Sequence, residues 1–212
     1  MEQVRKIKPS KKGSFRGFIN SKKSNEMVAW ESLLEKDFIK VLDFDPSIIK
    51  IQSQPIKIEY RYKGKIYKYF PDFLVETKDK QYIIFEVKPE DKIKEEDNKV
   101  KFEVGKIYCE KKGWKFKIVT EKDIRQGYLI QNLDKIRGVD ERLTKESTKI
   151  KIYNFIQKNG KSKMEDIIKF DDSIPSPEIY SNLYYMIYNQ QLNIDLINEL
   201  LNDETFIDIV RG

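Results

Sequence analysis

Apolar and polar residues alternate through "IIKIQSQPIKIEYRYKGKIYKYFPDFLVE", residues 48–76, and again in "QYIIFEVK", residues 81–88. A period of two with β-branched and aromatic residues predicts strands. Lys63-Gly64 is a hairpin turn within the first run, and Thr77 to Lys80 form a second turn joining the two. Upstream, Met27, Trp30, Leu34, Phe38 and Val41 recur at helical spacing. They predict a helix capped by Ser24 and running to about Leu42. "FDPS" stops it, because Pro46 pushes Asp45 out of helical geometry. After Pro89 a charged helix runs to about Lys112 and ends at Gly113. "WKFKIVT" reads as another strand, and the chain turns helical again from Glu121. Helix, antiparallel strands, helix, strand is the order of an α/β unit with a mixed sheet.

The pattern changes at "GVDERLTKESTK", residues 138–149, which is polar and aperiodic and reads as a linker. Beyond it come a helix, a turn at Gly160, a second helix, a third helix starting at Ser176 or Pro177, and the short strand "FIDIV". That order suits a small winged-helix-like module. The expected division is a basic arm at 1–23, an α/β domain at 24–144 and a winged-helix-like domain at 145–212.

Composition narrows the chemistry. The 212 residues include no histidine, which removes Ser-His-Asp and Cys-His catalysis and zinc sites built on histidine. The single cysteine, Cys109, has no partner in the chain and no histidine to activate it, so it reads as a partly buried thiol in a reducing compartment. No apolar run reaches the ~20 residues that span a bilayer. The basic N-terminus has no apolar segment of a secretory signal, so a cytoplasmic protein with no membrane contact is expected. Residues 1–23 carry eight basic side chains against Glu2, a net +7, while 145–212 sum to −3. A basic arm with Lys11, Lys12, Arg16, Lys22 and Lys23 suits a polyanion such as DNA, though a solvated tail has the same composition.

Three charged residues interrupt the strands that should form a core. Asp72 opens one strand; Glu86 and Lys88 close the next, on one face, with Phe85 and Val87 on the other. Pairing through the turn at 77–80 would bring Asp72 beside Glu86. Two buried carboxylates repel unless something compensates them. Magnesium, which prefers oxygen ligands and keeps several waters, would do so, with the Val87 carbonyl as a further ligand and manganese as a substitute. Lys88 would then stand beside a metal-bound water during attack on a phosphodiester. Glu31 and Glu35, four apart on the expected helix, are candidates for the remaining acid. Cross-strand ion pairs on a solvated face are the plain alternative.

Pro71-Asp72 followed by Glu86-Val87-Lys88, with a helical acid upstream, resembles the PD-(D/E)XK nuclease pattern. The wider stretch "MVAWESLLEKDFIKVLDFDPSIIKIQSQPIKIEY", followed by "YFPDFLVE" and "IIFEVKPE", resembles the TnsA family, endonuclease subunits of heteromeric transposases. The resemblance implies a restriction-endonuclease-like mixed sheet flanked by helices. It implies catalytic roles for Glu35, Asp72 and Lys88, with Glu86 as a metal ligand and Glu31 as the fallback for Glu35. Gln54, in the shared "QSQP", would touch DNA, brace the site or satisfy a strand-end backbone group.

The implied activity is magnesium-dependent cleavage of the 5′, non-transferred strands at double-stranded transposon ends, in a bacterial cytoplasm on the nucleoid. The implied partners are a transposase subunit with an Asp-Asp-Glu site and an AAA+ ATPase regulator, which the C-terminal domain would dock. The run Tyr180, Tyr184, Tyr185 and Tyr188 fits either helical core or a contact face. Two other readings stay open: a stand-alone restriction or repair nuclease on the same fold, and a catalytically inactive DNA-binding adaptor.

Overall fold

The computed structural model describes residues 15–210. Lys11 and Lys12 of the expected basic arm lie outside the described residues. The chain divides into two compact units, one ending at Arg125 and the other beginning at Gln126. This is upstream of the boundary expected at 144/145, and each unit is described by itself.

The first unit opens with a hairpin, β1 (Gly17–Ser21) paired antiparallel with β2 (Glu26–Trp30). This corrects the helix expected from Ser24. Ile19 and Val28 pair on the buried side while Phe18 and Met27 face outward, and Asn25 takes the left-handed turn conformation at φ 50°. The helical spacing from Met27 to Leu34 is coincidence across a turn. The helix itself, α1, is Leu33–Phe44, with Ser32 as its N-cap, so Glu31 precedes the helix and shares no helical face with Glu35. α1 ends as expected, at Asp45 before Pro46. The buried Asp43 of α1 accepts from Ser21 Oγ at 2.6 Å and from the Lys22 and Lys23 backbone N–H groups at 3.3 Å, fastening the hairpin turn to the helix.

The alternating run divides into three pieces. β3 (Ile48–Ser53) enters the main sheet. Gln54, at φ 43°, and Pro55 turn the chain out of it. β4 (Ile58–Tyr62) and β5 (Lys65–Tyr69) form a separate two-stranded ribbon around the Lys63-Gly64 turn, both of whose residues have positive φ. The chain then returns as β6 (Phe73–Thr77) and β7 (Tyr82–Val87), joined by the expected turn at 77–80. A short 3-10 turn leads to α2 (Glu96–Lys112), which ends at the left-handed Gly113. β8 (Lys115–Val119) pairs parallel with β7, and α3 (Glu121–Ile124) follows.

The sheet order β3-β6-β7-β8 is mixed, antiparallel except for its last pair. Alternation along β6 and β7 sends Leu74 and Ile84 to one face and Phe73 and Phe85 to the other. On the first face Leu74 and Ile84 pack with Cys109 of α2. On the second, Phe38 of α1 meets Phe73 and Phe85 edge-on, at 6.0 and 5.1 Å between centroids. The mixed sheet is thus flanked by α1 and α2. Gly105 lets α2 approach β8, since a Cβ there would collide with the ring of Phe116. Cys109 is buried more completely than the partial burial expected, and burial pushes its thiol up to about 11.

The second unit contains α4 (Leu129–Arg137), α5 (Glu146–Asn159), β9 (Ser162–Lys163), α6 (Met164–Ile168), α7 (Ser176–Tyr188), β10 (Leu192–Asn193) and β11 (Phe206–Ile209). The strands form a small antiparallel sheet in the order β10-β11-β9. The expected linker holds a 3-10 turn at Glu141–Leu143 and the first turn of α5. α4 buries Leu133 and Ile136 completely, so the second unit's core begins before the residues that read as linker. Asn132 donates to the carbonyls of Leu196 and Glu199 and accepts from the Leu201 N–H, all within 2.9 Å, pinning the long loop between β10 and β11. Of the tyrosine run, Tyr188 is buried, while Tyr180 donates to Asp203 and meets Tyr184 edge-on. No helix among the described residues is long and apolar enough to cross a membrane.

Candidate active site

The β6–β7 pairing sets Phe73 opposite Phe85, so continuing the register places Asp72 opposite Glu86 at the end of the hairpin away from its turn. The Val87 N–H donates to Asp72 Oδ2 at 2.7 Å, and Gln54 N–H donates to the Asp72 carbonyl at 2.8 Å. The aspartate is therefore held from both its side chain and its backbone. Glu86 is 2% exposed and both its oxygens are engaged. Lys88 Nζ lies 3.0 Å from Oε1, and the buried Tyr69 hydroxyl donates to Oε2 at 2.6 Å. Lys88 is in turn positioned by its N–H, which donates to the Val119 carbonyl at 3.0 Å across the parallel pair.

Electrostatics follow from burial. Desolvation raises the Asp72 carboxyl well above the usual carboxylate range, and the neighbouring charges of Glu86 and Glu35 push it the same way. Burial opposes the charged form of Lys88, but Asp72, Glu86 and Glu35 outweigh it and hold the ammonium above the ordinary lysine value. Desolvation also raises Glu35. Glu35 folds back over the start of its helix: it accepts from the Glu31 N–H at 2.8 Å and from Ser32 Oγ at 3.0 Å, while its own N–H donates to the N-cap Ser32 Oγ at 3.1 Å. Burial and the Glu86 carboxylate raise the Tyr69 phenol so far that it stays a donor.

Glu31, Gln54, Lys68, Tyr69, Phe70, Asp72, Glu86, Lys88 and Lys101 line one cleft of about 220 Å³. Glu35 feels Asp72 and Lys88 electrostatically but is turned toward its own helix end, whereas Glu31 lines the cleft and pairs with Arg16 at 3.4 Å. Gln54 is buried at the cleft wall, and its Oε1 has no hydrogen-bond partner among the described residues. Arg16 is half-buried against Glu31, and Lys23 is half-buried with its ammonium lowered by desolvation; Lys22 is exposed. Tyr69, Lys68 and Lys101 are members of the cleft that the sequence does not single out. Tyr69 sits in a strand rich in tyrosines, and nothing in its spacing separates it from the others.

The donor set is all oxygen. Among the described residues no group of three or more acids stands close enough to hold a metal ion. Asp72 and Glu86 alone face each other, and that fits magnesium, which typically takes one or two carboxylates and keeps its waters. A divalent cation would also relieve the repulsion that raises Asp72.

Residues 45–121, which hold the named cleft residues other than Glu31, match the family described as TnsA-like endonuclease N terminal. No curated protein matches the chain. That family description is of a nuclease domain. Over these residues the chain is similar to the TnsA-like endonucleases.

Proposed function

We propose that this protein is the endonuclease subunit that cuts the 5′, non-transferred strands at transposon ends by metal-dependent phosphodiester hydrolysis. The observation that carries the reading is the convergence of Asp72, Glu86 and Lys88 in one cleft with a basic rim at Lys68 and Lys101. In the reaction a water oxygen bonds to phosphorus and gives up a proton, the bond from phosphorus to one ester oxygen breaks, and that leaving oxygen takes up a proton in its turn. Lys88, charged and fixed by Glu86, donates to a phosphate oxygen and orients the attacking water. Asp72 presents Oδ1, since Oδ2 is held by Val87. Tyr69 fixes the second Glu86 oxygen and so the direction of its lone pairs.

Magnesium, or manganese in its place, would be held by Asp72, Glu86 and the Val87 carbonyl, with Glu35, once turned away from its helix end, or Glu31 as the further acid, and would supply an activated water and charge neutralisation. Gln54, Arg16, Lys22 and Lys23, with Lys11 and Lys12, are proposed DNA contacts.

The second unit is proposed as a winged-helix-like platform for an AAA+ regulator, beside a separate Asp-Asp-Glu transposase. Its order from α5 to β11, helix, strand, helix, helix, strand, strand, supports the winged-helix reading. The net −3 of residues 145–212 favours protein over phosphate.

The test is cleavage of a 5′-labelled transposon-end duplex with magnesium and the partner transposase. Wild type should cut and Asp72→Ala should not. Equal cutting by both would overturn the reading, and cutting by wild type without any partner would favour a stand-alone nuclease.

A further inference from the structure

The β4–β5 ribbon stands outside the main sheet, and its two faces differ. Cross-strand partners share a face, so Ile58, Tyr60, Tyr62, Lys65, Tyr67 and Tyr69 lie on one side. There Tyr60 stacks on Tyr67 at 5.6 Å and Tyr62 reaches Glu96 of α2 at 3.4 Å. The opposite side carries Glu59, Arg61, Ile66 and Lys68, all exposed, with Ile66 at 67%. Residues 57–68 hold five basic side chains and one acid, a net +4.

We propose that this ribbon enters a groove of duplex DNA and seats the scissile strand over the cleft. The proposal deepens the endonuclease reading and rests on it. Three observations favour DNA as the occupant. The charge suits phosphates, with Arg61, Lys63 and Lys65 clustered at the tip. The dimensions suit a major groove about 12 Å wide, which admits a two-stranded ribbon whose strands lie about 4.8 Å apart. The ribbon is also continuous with the chemistry: Lys68 lines the cleft and Tyr69, its last residue, holds Glu86. On the outer face Ile66 is the one apolar side chain, beside Arg61 and Lys68, placed to contact base edges rather than to build an apolar protein interface.

The experiment follows binding of the full chain to a linear duplex by fluorescence anisotropy, without divalent cation, over a salt series. Replacing Arg61, Lys63 and Lys65 with glutamine should weaken binding at least tenfold. It should also flatten the salt dependence by about 0.9 log units for each phosphate left without its cation. Ile66→Ser should weaken binding several-fold with the slope unchanged. A control with Lys158→Gln and Lys169→Gln, exposed lysines of the second unit, should match wild type. Near-ultraviolet circular dichroism of the tyrosines reports that the ribbon is still folded.

An unchanged slope in the triple variant, or an equal loss of affinity in the control, would overturn the ribbon proposal alone. Failure of wild type to bind any duplex would overturn the endonuclease reading with it. Self-association of the free protein abolished by Ile66→Ser would make this face a protein contact and overturn the proposal.

Discussion

Among the described residues up to Arg125, the buried polar set includes three charged side chains, Lys40, Asp43 and Glu86. Beyond Gln126 the buried polar residues are all neutral: Asn132, Thr148, Ser162, Asn182 and Thr205. The second unit's groups complete hydrogen bonds that hold backbone in place, as Asn132 does with three partners. In the first unit Asp43 does similar work for a turn, but Glu86 lies beside a second carboxylate and a lysine that packing does not require. Buried charge is costly, and apolar replacements of such pairs are often as stable or more so. A buried charge without a packing rationale therefore marks chemistry, and a buried neutral amide marks architecture.

Mutations can break this contrast. Lys88→Ala should reduce strand cleavage on the order of a thousandfold, the scale of losing a donor aimed at transition-state charge. Some stability should go with it, since the buried Glu86 loses its cation; cleavage kept at the normal rate would assign Lys88 to architecture after all. In the second unit Asn132→Ala should cost about 3 kcal/mol by urea titration, from three buried hydrogen bonds at roughly 1 kcal/mol each. A chain cut at 144/145 should lose the same support, so a fragment 126–212 should be the more stable C-terminal piece.

Tyr69→Phe sharpens the comparison from inside the cleft. As the group that orients Glu86, Tyr69 should matter for manganese affinity, by about tenfold on calorimetric titration, since partners of metal ligands typically contribute 10–100-fold. Unchanged affinity would make it a packing residue only. The smallest effect is at the helix cap: Glu35→Ala should cost about 1 kcal/mol of stability, whereas Glu35→Gln should keep the cap. Both should impair cleavage if Glu35 is the helical acid. Full activity in Glu35→Gln with loss in Glu31→Gln would transfer that role to Glu31.

Much of the first unit was legible in the chain. The turns at 63–64 and 77–80, the stop at Pro46, the end of α2 at Gly113 and the Asp72–Glu86 juxtaposition all follow from local chemistry. The failures also have local causes. Trp30 and Leu34 keep helical spacing across a turn, so a hairpin and a helix read as one helix. The ribbon alternates like the sheet strands beside it, and only the backbone at Gln54 reveals that it leaves the sheet. α4 is short and polar outside Leu133 and Ile136, so it merges with the linker. Tyr69 acts through a contact distant in sequence, which no periodicity reports.

Gln54 combines a left-handed backbone with a buried side-chain amide oxygen that has no partner among the described residues, while its N–H holds the Asp72 main chain. A side chain at such a φ costs about 1–2 kcal/mol relative to glycine's freedom there. Each 1.4 kcal/mol is a tenfold change in an equilibrium constant, so this corner alone raises the unfolded population about tenfold. A thermostability screen would accordingly select against Gln54. Its hits at this position should be sturdier proteins with a poorer cleft, which makes the corner a place where durability and activity trade against each other.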